Sequence, residues 1–230
     1  FPMDTLLYLA VLPAAALLYY IWKKDPIEKE PPKLLATLLL CGVISTIPAI
    51  ALEGAGTTLF LDQWMGDETT YLLFENFLVV ALVEETCKYV FLRWRTWKNP
   101  AFDYLFDGIV YAVFVSLGFA IAENIAYVFQ YGYGTAIARA FTAIPGHCVF
   151  AVFMGYFYGC AKLAQAQGRR AQAIGCRVAA IAVPVFWHGA YDFWASIDGE
   201  FATFVFFVLL FGMVLIGFQL VKRESALARR

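Results

Sequence analysis

The sequence predicts an all-α, polytopic membrane protein with seven transmembrane helices, its N-terminus out and its C-terminus in. Three observations predict this. Of the 230 residues, 62% are apolar and 15% charged, with a mean hydropathy of +0.68, whereas a soluble domain carries about 25% charged and 45–50% apolar residues. Apolar runs of about 20 residues, the length that crosses a hydrocarbon core, recur along the chain. The basic residues are confined to alternate connections, as the positive-inside rule requires of one membrane face.

The spans fall near 4–22, 34–53, 74–95, 105–130, 138–162, 174–196 and 202–221. The first has no basic segment before it and no small-residue cleavage site after it, so it reads as a retained span and not a signal peptide. The connections after the first, third and fifth spans, with the C-terminal tail, hold fifteen of the 17 basic residues: Lys23, Lys24, Lys29, Lys33, Arg93, Arg95, Lys98, Lys162, Arg169, Arg170, Arg177, Lys222, Arg223, Arg229 and Arg230. Lys88 lies within a span, which leaves Arg139 for the opposite side, beside Glu53, Asp62, Asp67, Glu68, Asp198 and Glu200. Trp22, Trp64, Trp94, Trp97 and Trp194 lie near span ends, where amphipathic rings favour the headgroup region. Gly155-x-x-x-Gly159 reads as a helix-packing face. The five cysteines include no C-x-x-C pair and read as small buried residues. The net charge of -1 says nothing about nucleic acid, but no basic patch of the kind that tracks phosphates is present, and no nucleic-acid partner is expected. The chain reads as one integral membrane domain, 1–230, in the cell membrane.

Polar residues interrupt four of the spans. The third carries Glu84-Glu85-Thr86-Cys87-Lys88, the fourth Glu123-Asn124, the fifth His147 and the sixth His188 with Asp192. Each charge at mid-bilayer costs roughly 2.5–3.5 kcal/mol, so such groups face a partner or a wet cavity and usually carry function. On a helix Lys88 is i+4 from Glu84 and i+3 from Glu85, within reach of both. At 1.5 Å per residue, Glu84, Glu123, His147 and His188 all lie about 10–14 Å below the outer end of their spans, in one layer.

Two imidazoles and a carboxylate are a common set of ligands for catalytic zinc, leaving a fourth position for water. Such an ion lowers the water's pKa toward ~7, and an adjacent glutamate can relay its proton to a leaving amine. Asp192, one turn beyond His188, can fix an imidazole tautomer, act as a ligand or face an oxyanion. Asn124 has an amide able to bind a substrate carbonyl, and Lys88 reads as a neutraliser of Glu84 or Glu85.

Glu84-Glu85-x-x-Lys88, Phe119-x-x-x-Glu123-Asn124, His147 and His188-x-x-x-Asp192 together resemble the PrsW family of intramembrane proteases. That family is a branch of the group containing the type II CAAX prenyl endopeptidases and the abortive-infection proteins. The resemblance runs from about Phe74 to Asp192 and includes Phe106-Asp107-Gly108-Ile109-Val110-Tyr111. It implies peptide-bond hydrolysis within the membrane, in this branch on a membrane-anchored anti-sigma factor near the extracytoplasmic face. Where the prenyl endopeptidases carry Glu-Glu-x-x-x-Arg, Phe-x-x-x-His and His-x-x-x-Asn, this chain has Lys88 one position earlier, Glu123 and Asp192. These departures argue against a prenylated cytosolic substrate. The expectation is therefore a zinc-dependent intramembrane endopeptidase whose core is about 74–196, with 1–60 and 200–230 as peripheral helices. Glu84 is taken as its base, although the sequence does not separate it from Glu85 in that role; Glu85, Lys88, Asn124 and Asp192 are further catalytic candidates, and Glu123, His147 and His188 are the zinc ligands. Its partners are a membrane-anchored protein substrate and the lipid bilayer. The alternatives are a proton-coupled transporter or ion pathway, which equally uses buried Glu, Lys and His, and a non-catalytic membrane scaffold.

Overall fold

A computed structural model of the chain describes residues 3–25 and 28–228. Its elements are helices α1 (Met3–Lys24), α2 (Pro32–Gly56), α3 (Glu68–Phe74), α4 (Leu82–Thr96), α5 (Leu105–Tyr131), α6 (Tyr133–Phe141), α7 (Ala143–Ala166), α8 (Arg170–Ser196) and α9 (Glu200–Leu227). A π-helical turn, Thr57–Leu61, extends α2, and a π-helical stretch, Glu75–Ala81, joins α3 to α4. No strand occurs among the described residues.

Six helical segments are long and apolar enough to cross a membrane: Thr5–Lys24, Pro32–Leu61, Leu105–Tyr131, Tyr133–Ala166, Arg170–Ser196 and Glu200–Leu227. The expected span at 74–95 is helical but is not among the six. It is divided by the π-helical stretch and carries Glu75, Glu84, Glu85 and Lys88, which lower its hydropathy. The expected span at 138–162 lies within Tyr133–Ala166, which is built of two helices. Gly132, at φ 81°, ends α5 in a conformation only glycine adopts freely. The short α6 follows, and α7 begins only at Ala143, with Pro145 in its first turn, where a missing N–H costs nothing.

The outward faces suit lipid. Along α9, Phe201, Phe204, Phe207, Phe211 and Phe218 are exposed, a continuous apolar surface that water would not tolerate.

α5 is the central helix, buried along most of its length and packed on α7, α2 and α1. These contacts run backbone to backbone. A Cβ on Gly155 would stand 2.4 Å from the Gly108 carbonyl oxygen, and one on Gly42 of α2 would stand 1.9 Å from that of Val115. Between helices in lipid, close approach of this kind supplies much of the association energy. The pattern Gly155-x-x-x-Gly159 thus packs α7 onto α5.

The end of the bundle carrying most basic residues is filled with rings. Phe102 stacks on Tyr158 at 5.0 Å, with Trp97 5.2 Å from Tyr158 and Tyr111 5.5 Å from Phe102. Lys162 donates to the Trp97 carbonyl at 2.8 Å, and Arg93 and Arg177 each lie 4.8 Å from the Trp97 ring. Below the rings Tyr111 donates to the buried Glu30 at 2.5 Å, and Asp107 accepts from the N–H groups of Asp103 and Tyr104 to cap α5. Burial raises the pKa of Glu30 to about 7; the Tyr111 and Asp107 hydrogen bonds oppose this, and the charges of Asp25 and Asp103 add to it.

Two predictions follow from this packing. Gly155→Ala should cost about 1–3 kcal/mol through overpacking, lowering the unfolding temperature in detergent by several degrees. Gly212→Ala, with nothing within 4 Å of the added carbon, should not. Glu30 binds its proton up to about pH 7 when folded but only to 4.5 when unfolded, so the folded state holds more protons between these values. Stability should be complete below the lower value and fall as pH rises through the upper one. Thermal unfolding across that window should show the fall in the wild type and a flatter profile in Glu30→Gln.

Candidate active site

The site lies where α4, α5, α7 and α8 meet. Phe77 enters the stretch of α8 beside His188 only because residue 189 is glycine; a Cβ there would lie 2.5 Å from the Phe77 ring. A π-helical stretch such as Glu75–Ala81 changes the phase of the helix that follows it and is frequent at functional sites. Here it precedes the first turn of α4, which presents Glu84 and Glu85 to the interior.

Lys88 sits at the centre and is fully buried. Its ammonium donates to Glu84 Oε2 at 2.9 Å and Glu85 Oε1 at 2.8 Å, and lies 3.2 Å from His147 Nδ1. The Phe119 ring flanks it at 4.1 Å. The other ring nitrogen of His147 contacts Glu123 Oε2 at 3.0 Å, and the same oxygen takes Arg139 at 2.9 Å. His188 Nδ1 lies 2.9 Å from Glu85 Oε1, while its Nε2 is 3.1 Å from Asp192 Oδ2 and 3.9 Å from Glu84 Oε2. The two imidazoles meet edge to face at 5.3 Å.

A cavity of about 740 Å³ reaches this cluster from the end of the bundle opposite the aromatic seal. Glu84, Glu123, His147, His188 and Asp192 line it, together with Glu53, Glu75, Arg139 and Tyr191. Glu85 and Lys88 lie behind that wall. The sequence-derived candidates therefore converge, apart from Asn124. The Asn124 side chain is buried toward α1, donating to the Ala10 carbonyl at 3.2 Å and accepting from Arg139 Nε at 2.8 Å.

Two further residues join the site, Arg139 and Glu53. The sequence places Arg139 on the outer side as an isolated cation, but α6 carries it back over the cavity, where it pairs with Glu123 and lies 4.1 Å from the Tyr127 ring. Its place as the one basic residue on an otherwise acidic side was the available signal. Glu53 looked like an interfacial acid, yet its Oε1 is buried without a hydrogen-bond partner.

Among the described residues, Glu84, Glu85, His147 and His188 form a group able to hold a metal ion, with one ligand atom from each all within 4.8 Å of one another. The donor types suit a borderline divalent cation such as zinc, and the buried Glu85 Oε2 has no hydrogen-bond partner. Glu123, expected as a ligand, contacts instead the far nitrogen of His147 and Arg139.

Fold and site together define a polytopic membrane protein built around a buried, cavity-facing set of carboxylates and imidazoles. Residues 30–218 match the family described as PrsW family intramembrane metalloprotease. The chain is 32% identical to Protease PrsW of Geobacillus kaustophilus over 227 residues, covering 99% of this chain and 95% of that protein. It is 30% identical to Protease PrsW of Clostridioides difficile, covering 96% and 90%, and 29% identical to that of Bacillus subtilis, covering 97% and 96%. No solved structure matches. The chain belongs to the PrsW family of intramembrane proteases, and it is a multi-pass integral membrane protein.

Glu85 contacts both Lys88 and His188 from full burial, so breaking its ion pair should be costly. Glu85→Ala should destabilise the protein by about 3–5 kcal/mol, measured as loss of the folded fraction in detergent against a mild denaturant series. Asn124→Ala, which removes two hydrogen bonds, should cost about 2 kcal/mol.

Proposed function

We propose that this protein is a zinc-dependent intramembrane endopeptidase. It crosses the membrane seven times, N-terminus out, the Glu68–Thr96 unit supplying the span additional to the six apolar ones. It cuts a membrane-anchored protein near the extracytoplasmic face, and an anti-sigma factor is the substrate that the family pattern suggests. The single observation that carries the reading is the convergence of two carboxylates and two imidazoles at the base of one cavity. That cavity opens at the end of the bundle poor in basic residues, which the positive-inside rule assigns to the outside.

The donor set supports a divalent ion: two carboxylates and two imidazoles stand within 4.8 Å of one another, a combination common around zinc. Glu84, Glu85, His147 and His188 can hold the ion; we assign Glu85, His147 and His188 as its ligands and keep Glu84 for the proton, which leaves the fourth position to water. Glu123 and Asp192 orient the two imidazoles from the side away from the centre, the usual position of carboxylates behind metal-bound histidines. When bound, zinc supplies Lewis acidity and a water acidic enough to ionise near neutral pH.

The chain's own groups then divide the work. Glu84 is both buried and on the cavity wall, so it accepts the proton of the attacking water as the water oxygen bonds to the peptide carbonyl carbon. As the C–N bond breaks, Glu84 returns that proton to the leaving nitrogen, giving a carboxylic acid and an amine. Arg139 offers hydrogen-bond donors from the cavity mouth and is held by Glu123 and Asn124. The functional core is 74–196, closed on one side by the end of α2.

Glu84→Gln should abolish cleavage of a co-expressed single-span substrate while leaving expression and helical circular dichroism intact; retained cleavage removes Glu84 from the mechanism. Mass spectrometry of purified wild type should find about one zinc per chain, lost in both His147→Ala and His188→Ala. A metal-free but active wild type would instead leave a glutamate-based hydrolysis.

A further inference from the structure

We propose that Lys88 is a tethered cation that occupies the centre of the donor group and competes with a divalent ion for it. The inference rests on the proposed metal site and concerns how that site is kept assembled and how tightly it binds.

An ammonium has three donors, and Lys88 has three acceptors around it: Glu84 Oε2 at 2.9 Å, Glu85 Oε1 at 2.8 Å and His147 Nδ1 at 3.2 Å. These belong to three of the four residues that can hold a metal ion. A cation bound through those atoms must take them from the ammonium. His147 shows the substitution most clearly. Its ring contacts Glu123 Oε2 through Nε2, so in the neutral tautomer that donates there the Nδ1 lone pair points at the centre, toward Lys88. A metal-ligating imidazole presents its lone pair in the same manner, with a carboxylate behind it.

The arrangement has two physical consequences. Without a metal, two adjacent carboxylates in a membrane interior are strongly unfavourable unless compensated, and Lys88 compensates both at zero solvent exposure. The donor group therefore stays assembled when empty of metal. With a metal present, binding draws on the fraction of molecules in which Lys88 has released its acceptors, and the apparent affinity falls by that fraction. Lys88 thus sets the metal affinity below what the donors would give alone. The ring of Phe119 beneath the ammonium, at 4.1 Å, adds to the hold on the tethered cation.

The test is zinc affinity, measured by competition with a chromophoric chelator at one fixed pH on full-length protein in detergent. Wild type, Lys88→Met and Lys88→Arg are compared, with unfolding temperatures recorded with and without zinc. Lys88→Met should bind zinc on the order of tenfold more tightly than wild type. Its metal-free form should unfold at a lower temperature, and zinc should raise that temperature by more than it does in the wild type. Lys88→Arg keeps the charge on a larger group and should bind zinc no more tightly than wild type. That variant decides the matter if Lys88→Met does not fold: tighter zinc binding by Lys88→Arg overturns competition by charge. Equal or weaker binding by folded Lys88→Met overturns the competition alone and makes Lys88 a support of the loaded site. Absence of zinc binding in every protein overturns the metal assignment, and the competition with it.

Discussion

The structure depends on compensating charge where water is scarce. Glu84, Glu85 and Lys88 stand within one turn of α4, and all three are buried. Inside a bilayer an unpaired charge costs several kcal/mol, comparable with the whole stability of a domain. The three residues satisfy one another only partly, for Glu85 also needs the imidazole of His188 and the ammonium also needs that of His147. Those rings come from α8 and α7. The pairing therefore fixes where both helices stand relative to α4, and a shift of either by one turn would leave charges unmet.

That requirement explains why the rest of the bundle is packed so closely. A hydrogen bond of about 3 Å between side chains on neighbouring helices tolerates little drift. Contacts at Gly108, Gly155 and Gly159 lock α5 to α7, and those at Gly42 and Gly118 lock α2 to α5. The aromatic seal around Tyr158 closes the basic end. At the other end the cavity lined by Glu53, Glu75 and Arg139 reaches the ionisable groups.

Much of this was legible in the sequence because a membrane makes exceptions conspicuous. Apolar runs mark the helices, and ionisable residues inside those runs mark seven of the side chains that meet at the centre. What was not legible depended on phase and on reversal. Sequence spacing treats a helix as having one period, so it could not register the π-helical stretch before α4, which resets the direction of everything after it. Arg139 reads as an outer residue because the break at Thr142, which separates α6 from α7 and lets α6 fold over the cavity, lies inside the span expected at 138–162. Glu53 was missed for a related reason: a charge at a span end has an innocent explanation at the headgroups. Only the convergence of α2 on α4 and α5 shows that its end faces inward.

The paired glutamates illustrate the limit and its resolution. Successive helical residues point about 100° apart, so sequence alone leaves Glu84 and Glu85 equivalent as candidates for chemistry. In the folded chain they are not equivalent. Glu84 lines the cavity, while Glu85 lies behind it, holding Lys88 on one side and His188 on the other. Adjacent acids on one helix thus serve two opposed needs. On the proposed reading one carboxylate is reachable by water and substrate, while the other is sealed away so that the lysine and histidine around it keep their geometry. A single glutamate cannot meet both demands, because the exposure that permits proton transfer is the exposure that loosens an ion pair. On the proposed reading, the doubled acid is what lets a site remain rigid inside the membrane while one of its oxygens stays open to the reaction.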